Sequence, residues 1–262
     1  MELVREEPLL FALGDDHLLT MRTPGADEDL ALGFLLSEGV IARASEVLSL
    51  RLVPRGTAPD VPGAAPPASV DALEIVLAPG APALGRGRLA RVHEIRPSCG
   101  ICGQATAEGL TGGLVRLAPG RPRVSLARLL AMVEAMRARQ ALFHATGGSH
   151  AAAIFSAASG TTEVPELWAL GEDVGRHNAV DKAIGRAARD GRPLGDAALV
   201  LSGRGGFELV LKALRLGIPI IASVSAPTSL AVEIAEEAGA TLVGFLRREG
   251  TPVVYADEGR VG

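Results

Sequence analysis

The last third of the chain alternates apolar runs with amphipathic runs, and this alternation restricts the fold more than any other feature. Three runs read as buried strands, "AALVLS", "IPIIASVS" and "TLVGFL", at residues 197–202, 218–225 and 241–246. Runs with helical spacing separate them, at residues 207–217 and 228–239, and each of these ends in glycine. Strand–helix–strand–helix–strand connections predict parallel strands with right-handed crossovers. The sequence therefore predicts an α/β fold here.

Helix and strand patterns also occur upstream. "TPGADEDLALGFLLSEGVI" predicts a helix with an acidic first turn at residues 27–29 and an end at Gly39. "EVLSLRLV", "ALEIVLA" and "AAAIF" predict strands. Ser125 is the expected N-cap of a further helix with regular apolar spacing. Residues 175–191 predict a helix that covers the C-terminal sheet.

These patterns predict a layered α/β protein with two parts. Residues 1–115 form a smaller N-terminal α/β part, and residues 116–262 form a C-terminal part whose central mixed or parallel sheet is flanked by helices. We expect the boundary between the two parts at about residues 110–125. The Pro- and Ala-rich stretch at 54–69 predicts a loop without a functional interpretation.

The composition excludes some classes of partner. Of the 262 residues, 48% are hydrophobic and only 3% are aromatic, so the core is expected to be aliphatic. The formal net charge of −4 gives no general attraction to nucleic acid or to an anionic membrane. The sequence shows neither a signal-peptide pattern nor an apolar run of about 20 residues. We therefore expect a cytoplasmic protein.

The chain has two cysteines, Cys99 and Cys102, and both lie in "RPSCGICGQAT". In the cytosol such a pair is more often catalytic, redox-active or metal-binding than a structural disulfide. Zinc would need two further ligands besides the two cysteines, and among the five histidines only His144 and His150, six positions apart, lie close together in sequence; we predict no metal site. A thioredoxin-like pair should open a helix, but Gly103 and Thr106 begin a helix poorly. Two buried small hydrophobic side chains are a further alternative.

A nucleophile that handles sulfur is the interpretation that we favour. A persulfide carrier needs an accessible thiolate on a loop that can meet a donor and then an acceptor, and neighbouring glycines permit this. Arg91 and Arg96 would favour the thiolate, and a second thiol nearby can release sulfur by exchange.

The cysteine pair also invites comparison with zinc-dependent base deaminases, which carry His-x-Glu followed by Pro-Cys-x-x-Cys. Here Ser98 separates Pro97 from Cys99, and the upstream His93-Glu94 lacks the spacer residue. We therefore reject zinc-dependent deamination.

The segment "GEDVGRHNAVDKAIG" is rich in polar side chains at a predicted helix start. Arg176 and His177 could bind a polar ligand there. The same spacing fits an i,i+4 pair between His177 and Asp181. The sequence does not distinguish these alternatives.

Further polar loops follow the predicted strands. "LSGRGGFE" places Ser202 and Arg204 where backbone N–H groups could hold a phosphate, although it matches no established phosphate-binding fingerprint. "SVSAPTS" contains Ser225, and "GFLRREG" contains Arg247 and Arg248, which fit an anion site or a solvated turn. Because ligands bind at the carboxyl ends of parallel strands, we expect a binding groove at this edge.

Together these segments resemble the formate dehydrogenase accessory sulfurtransferase family, FdhD. The matching strings are "RTPGADEDLALGFLLSEGVI", "SCGICG", "TGGSHAAAI", "EDVGRHNAVDKAIG", "LSGR", "FELVLKA", "GIPIIASVSAPTSLAVEIAEEAGATLVGFLR" and "VVYA". They follow the order of the family from residue 22 to about residue 256.

The resemblance implies a sulfurtransferase that takes persulfide sulfur from a cysteine desulfurase. It implies transfer of that sulfur to the bis(molybdopterin guanine dinucleotide) molybdenum cofactor, which formate dehydrogenase needs for activity. It also implies a C-terminal domain similar to the cytidine deaminase fold without the zinc, and it is compatible with a homodimer.

The resemblance further assigns residue roles. Cys99 takes the persulfide and Cys102 is the partner thiol. The family's cofactor-binding segment falls on Phe245, Leu246, Arg247, Arg248, Glu249 and Gly250. From loop position alone, we add Arg176, His177, Ser202, Arg204 and Ser225. Two other functions remain open, a non-catalytic chaperone for the molybdenum cofactor and a Cys-x-x-Cys thiol–disulfide oxidoreductase.

Overall fold

A computed structural model of the chain describes residues 2–14, 16–56, 70–79, 114–158, 165–247 and 250–262. Most of the Pro- and Ala-rich stretch at 54–69 lies outside these residues.

The N-terminal sheet has four strands in the order β2-β1-β4-β3. The strands are β1 (Glu7–Leu13), β2 (Asp16–Arg22), β3 (Val47–Val53) and β4 (Asp71–Leu77). β1 pairs in parallel with β4, and the other two pairings are antiparallel. Helix α1 (Asp27–Ser37) follows β2.

The C-terminal sheet has six strands in the order β10-β9-β8-β7-β5-β6. The strands are β5 (His150–Ser156), β6 (Leu167–Asp173), β7 (Ala197–Leu201), β8 (Ile220–Ser223), β9 (Thr241–Gly244) and β10 (Val253–Ala256). The helices of this part are α2 (Leu126–Arg137), α3 (Ala141–Thr146), α4 (Arg176–Arg189), α5 (Phe207–Arg215) and α6 (Ser229–Glu237).

The predicted parallel strands are confirmed, because β7 pairs in parallel with β8 and β8 with β9. The helix ends also follow local chemistry. The Ser125 hydroxyl accepts a hydrogen bond from the Arg128 N–H and caps α2. Gly39 has a φ of 69°, a left-handed conformation that favours glycine after a helix.

The two faces of the six-stranded sheet are covered by different helices. β5 alternates, with Ala152 and Ile154 in the core shared with α4, α5 and α6, and Phe155 in the core shared with α2. The first core continues past α4 to α1 and the N-terminal sheet. The mixed α/β class is therefore confirmed, while the boundary at 115/116 stays a prediction.

Helices α1 and α4 pack against each other closely. A Cβ atom at Gly33 would lie 1.8 Å from the Asp181 carbonyl oxygen, and one at Gly185 would lie 1.9 Å from the Asp29 carbonyl oxygen. Only glycine at both positions permits this approach, which joins the two sheets into one packed unit.

The structure also contains strands that the sequence patterns did not predict, namely β1, β2, β6 and β10. Across the described ranges, no helix is both long enough and apolar enough to span a membrane.

Candidate functional site

The candidate site lies along one edge of the six-stranded sheet. β5 is antiparallel to both β6 and β7, so β6 runs in the same direction as β7, β8 and β9. The carboxyl ends of these four strands therefore meet at one edge, together with the amino end of β5. Helices α4, α5 and α6 begin there, with their N-terminal dipole ends towards it.

A cleft at this edge has a volume of about 110 Å³. Its polar lining comes from His150, Arg176, Ser202, Gly203 and Arg204. Three residues singled out from loop position, Arg176, Ser202 and Arg204, are thus brought together from two loops.

His150 is the lining residue that sequence reasoning did not assign to the groove. It is the first residue of β5 and pairs with Asp173 at the end of β6. The sequence signal was the turn "TGGSH" before a predicted strand. Because the antiparallel placement of β5 was not predicted, that signal did not place His150 at the edge.

Ser202 holds the first loop against β5. Its Oγ accepts a hydrogen bond from the Ala151 N–H at 2.8 Å, and its own N–H donates to the Ala151 carbonyl oxygen at 3.0 Å. Ser202 therefore orients the turn that carries Gly203 and Arg204.

His177 pairs with Glu208 of α5, with Nε2 and Oε2 2.6 Å apart. The hydrogen bond from His177 lowers the pKa of Glu208. The i,i+4 pair between His177 and Asp181 is wrong, because Asp181 is 2% exposed and lies 3.0 Å from Lys212 Nζ. The side chain of Asp181 contacts Ser37 of α1 and Lys212 of α5, and Lys212 neutralises its charge.

A buried carboxylate fixes the start of α4, where Arg176 is located. Asp173 is fully buried and lies 2.7 Å from Lys182 Nζ. It accepts hydrogen bonds from the Thr23 N–H at 3.0 Å and the Gly175 N–H at 2.9 Å. Because Thr23 follows β2, the N-terminal sheet takes part in positioning this loop.

The loops after β8 and β9 are joined to the first loop through Ser225. Its N–H donates to the Gly203 carbonyl oxygen, and its carbonyl oxygen accepts from the Phe245 N–H, both at 3.3 Å. Ser225 therefore lies at the predicted edge, and its main chain links three strand ends.

The segment after β9 is only partly suited to contacts with a ligand. The side chain of Leu246 is fully buried in the α2 core, so its assignment to the cofactor-binding segment stays a prediction that concerns its main chain. Arg247 is exposed, donates from Nε to the Val224 carbonyl oxygen at 3.2 Å, and places its guanidinium 5.4 Å from the Phe245 ring centre. Gly250 is exposed as well. Arg248 and Glu249 lie outside the described residues.

Comparison with known proteins identifies the family. The model of the FdhD/NarQ family matches residues 4–262. The chain belongs to this family. A protein of Mycolicibacterium paratuberculosis named "Sulfur carrier protein FdhD" is 45% identical, with 99% of this chain and 92% of that protein covered. A Mycobacterium tuberculosis protein of the same name is 42% identical, with 95% and 87% covered.

A solved structure is similar over nearly the whole chain. It is the crystal structure of a proposed formate dehydrogenase accessory protein from Desulfotalea psychrophila. The TM-score is 0.68 at 24% identity, with 99% of this chain and 90% of that chain covered. This FdhD/NarQ member therefore shares its fold with that protein.

The charges at the edge suit an anion. Arg176 and Arg204 line the cleft, while Glu208 pairs closely with His177 and lies 3.9 Å from Arg176. Partial burial and the positive charge of Arg176 lower the pKa of His150. A phosphate would find two guanidinium groups and a neutral imidazole there, and arginine binds phosphate in a bidentate manner.

The two cysteines, Cys99 and Cys102, lie outside the described residues. Within the described ranges, no three His, Cys, Asp or Glu side chains gather in a way that could hold a metal ion. What the described part of this family member offers is thus a strand-end cleft lined by two arginines.

Proposed function

We propose that this chain is a sulfurtransferase that carries sulfur as a persulfide on Cys99 to the bis(molybdopterin guanine dinucleotide) molybdenum cofactor of a formate dehydrogenase. The observation that carries the proposal is the cationic edge at Arg176 and Arg204 in a chain whose relatives are named sulfur carrier proteins. That edge suits a cargo rich in phosphate, and the chain's cysteines form one Cys-x-x-Cys pair.

In the first step, the Cys99 thiolate attacks the terminal sulfur of a persulfide on a cysteine desulfurase. A sulfur–sulfur bond forms on Cys99, and the donor's cysteine leaves as a thiolate. Arg91 and Arg96, close in sequence, favour the thiolate form of Cys99.

Release of the sulfur uses Cys102. Its thiolate attacks the Sγ atom of Cys99, a Cys99–Cys102 disulfide forms, and the terminal sulfur leaves as hydrosulfide for the molybdenum of the cargo. The two thiols supply the two electrons, so a reductant must regenerate the pair before another cycle.

The strand-end edge would bind the cofactor through its guanine dinucleotide arms. Five adjacent strand ends, at about 4.8 Å per strand, span about 20 Å, which accommodates an extended nucleotide. Arg176 and Arg204 would contact phosphates near one end, and exposed Arg247 and Gly250 would flank the other end.

Mass spectrometry after incubation with a cysteine desulfurase and cysteine tests the sulfur step. We expect wild-type protein to gain about one sulfur mass at Cys99, and Cys99→Ala to gain none. Cys102→Ala should accept sulfur and retain it, because the releasing thiol is missing. Equal sulfur gain by Cys99→Ala would reject the role of this residue.

Complementation separates the proposal from a cofactor chaperone. A strain that lacks its own copy of this protein is given the Cys99→Ala, Cys102→Ala double variant, and formate dehydrogenase activity is measured. We expect no activity. Full restoration would favour a non-catalytic chaperone, since cofactor binding would then suffice.

A further inference from the structure

His150 stands out because it lines the same cleft as two arginines, Arg176 and Arg204. Its ring packs over Gly203, where an added Cβ would lie 3.7 Å from Nδ1 of the imidazole. Within the part of the chain that the structure describes, no residue hydrogen-bonds this imidazole. His177, by contrast, is tied to Glu208.

The charged groups around His150 leave a net positive cleft. Arg176 and His177 face it from α4, and Arg204 faces it from the loop after β7. Asp173 at the end of β6 is occupied by Lys182, and Glu208 of α5 by His177, with Arg176 at 3.9 Å from the same Glu208 oxygen. Both nearby carboxylates are thus already paired, whereas the described residues offer His150 and Arg204 no such pairing and leave them to contact a ligand.

We infer that His150, Arg176 and Arg204 form a subsite for a single phosphate group, and that His150 is the group that makes nucleotide binding depend on pH. The cleft of about 110 Å³ has room for one phosphate group. The inference rests on the proposed function, because it assumes that the edge holds a guanine nucleotide. To that function it adds the three residues that contact the phosphate and the pH dependence that His150 confers.

The sign of the pH dependence follows from the surroundings. Burial and Arg176 hold the pKa of His150 below its ordinary value of 6.5, so the free protein carries a neutral ring at neutral pH. A bound phosphate stabilises the protonated ring and raises the pKa of His150. Binding therefore takes up a proton. The affinity for the nucleotide rises as pH falls from the pKa of His150 in the complex to its lower pKa in the free protein.

Calorimetric titration with GDP tests this, using wild-type protein, His150→Gln and the matched control His144→Gln. His144 is exposed on α3 and lies outside the cleft lining. Glutamine keeps a hydrogen-bond donor but does not titrate. Since the terminal phosphate of GDP also titrates near pH 6, the ratio of wild-type to variant affinity at each pH is the quantity compared.

We expect wild-type protein to bind GDP about tenfold more tightly than His150→Gln at about pH 5.5, and within about twofold at about pH 8. His144→Gln should match wild-type protein throughout. A constant ratio over this range would overturn the inference, even if Arg176→Ala and Arg204→Ala weaken binding. If no GDP binds while Cys99 still gains sulfur, the inference and the nucleotide site fail but the sulfur carrier stands.

A measurement on wild-type protein covers the case in which His150→Gln does not fold. NMR titration of the imidazole protons should show the pKa of His150 rising by about one unit when GDP is added. An unchanged pKa in the presence of saturating GDP would equally overturn the inference.

Discussion

Lys212 is a buried cation whose role is structural. It is 4% exposed, and its Nζ lies 2.7 Å from Glu38, 3.0 Å from Asp181 and 2.8 Å from the Ser37 hydroxyl. These carboxylates outweigh desolvation and raise the pKa of Lys212. Lys212→Met should lower the free energy of unfolding by about 3–5 kcal/mol, because the Asp181 carboxylate stays buried without its cation.

Denaturant unfolding measures this loss. The surface pair between Arg137 and Glu134 provides the control, since Arg137→Met should cost less than about 1 kcal/mol. Equal effects of the two substitutions would show that the Lys212 cluster does not stabilise the fold.

Glu38 makes the same cluster sensitive to acid. Burial alone would raise its pKa, but Lys212 and Arg215 outweigh burial and lower it from 4.5 to about 2. The stabilisation from Glu38 is therefore complete above pH 4.5 and is lost as pH falls towards 2, by about 3 kcal/mol in total. Unfolding free energies measured between these limits should fall more steeply for wild-type protein than for Glu38→Gln. Parallel pH profiles would contradict the assignment.

Asp181 shows why the sequence could not predict side-chain partners. Its spacing from His177 fits a helical pair, but spacing does not reveal which neighbour each face of the helix meets. The actual partners, Lys212 and Glu208, lie on α5, 31 residues from Asp181 and His177 respectively. Only the packing of three helices decides between the local pair and the distant ones.

At the scale of elements, the crossing of α1 and α4 depends on two glycines. Gly33→Ala would bring a methyl group to 1.8 Å from the Asp181 carbonyl oxygen, so the helices must move apart. We expect the variant to lose about 3 kcal/mol or more, since overpacking against backbone cannot relax by a rotamer change. Gly195→Ala is the matched control, because nothing lies within 4 Å of its added Cβ.

Thermal unfolding measures both variants. A loss of about 3 kcal/mol corresponds to a fall in Tm of roughly 6–12 °C for a chain of this size. If Gly33→Ala and Gly195→Ala have the same Tm, the two helices do not pack this closely.

The sequence predicted those strands and helices whose buried positions hold hydrophobic residues. β7, β8 and β9 are apolar runs buried on both faces, and each was predicted. β6 was missed because its inward positions hold Ala169, Gly171 and Asp173 instead of large apolar residues. Gly171 is needed there because a Cβ would lie 2.2 Å from the Ala179 carbonyl oxygen of α4. β1 was missed because adjacent Leu9 and Leu10 are both buried, which removes the alternation.

At the scale of the whole molecule, the site was predictable in part because strand direction determines which loops meet. The loops after β7 and β8 were placed correctly, since parallel strands end at one edge. His150 required the antiparallel insertion of β5 between β7 and β6, which local sequence does not encode. The contact of Thr23 with Asp173 spans 150 residues and likewise needs the folded chain.

That contact belongs to a wider dependence of the C-terminal part on the N-terminal part. One core runs from Leu9 and Leu73 of the first sheet through α1 and α4 to Leu199 of the second sheet. Residues 116–262 alone would expose the α4 surface that α1 covers, and Lys182 and Asp173 would lose their contacts with Thr23. We therefore expect the full chain to unfold in a single cooperative transition.

Two probes test this cooperativity. Trp168, the only tryptophan, lies on β6 and reports on the second sheet, whereas far-UV circular dichroism reports on both parts. Their denaturant midpoints should coincide in the full chain, and Gly33→Ala should shift both together. A fragment of residues 116–262 should show no cooperative Trp168 transition. If that fragment unfolds cooperatively at the full-length midpoint, the boundary at 115/116 separates two independently stable domains, and the shared core contributes little to stability.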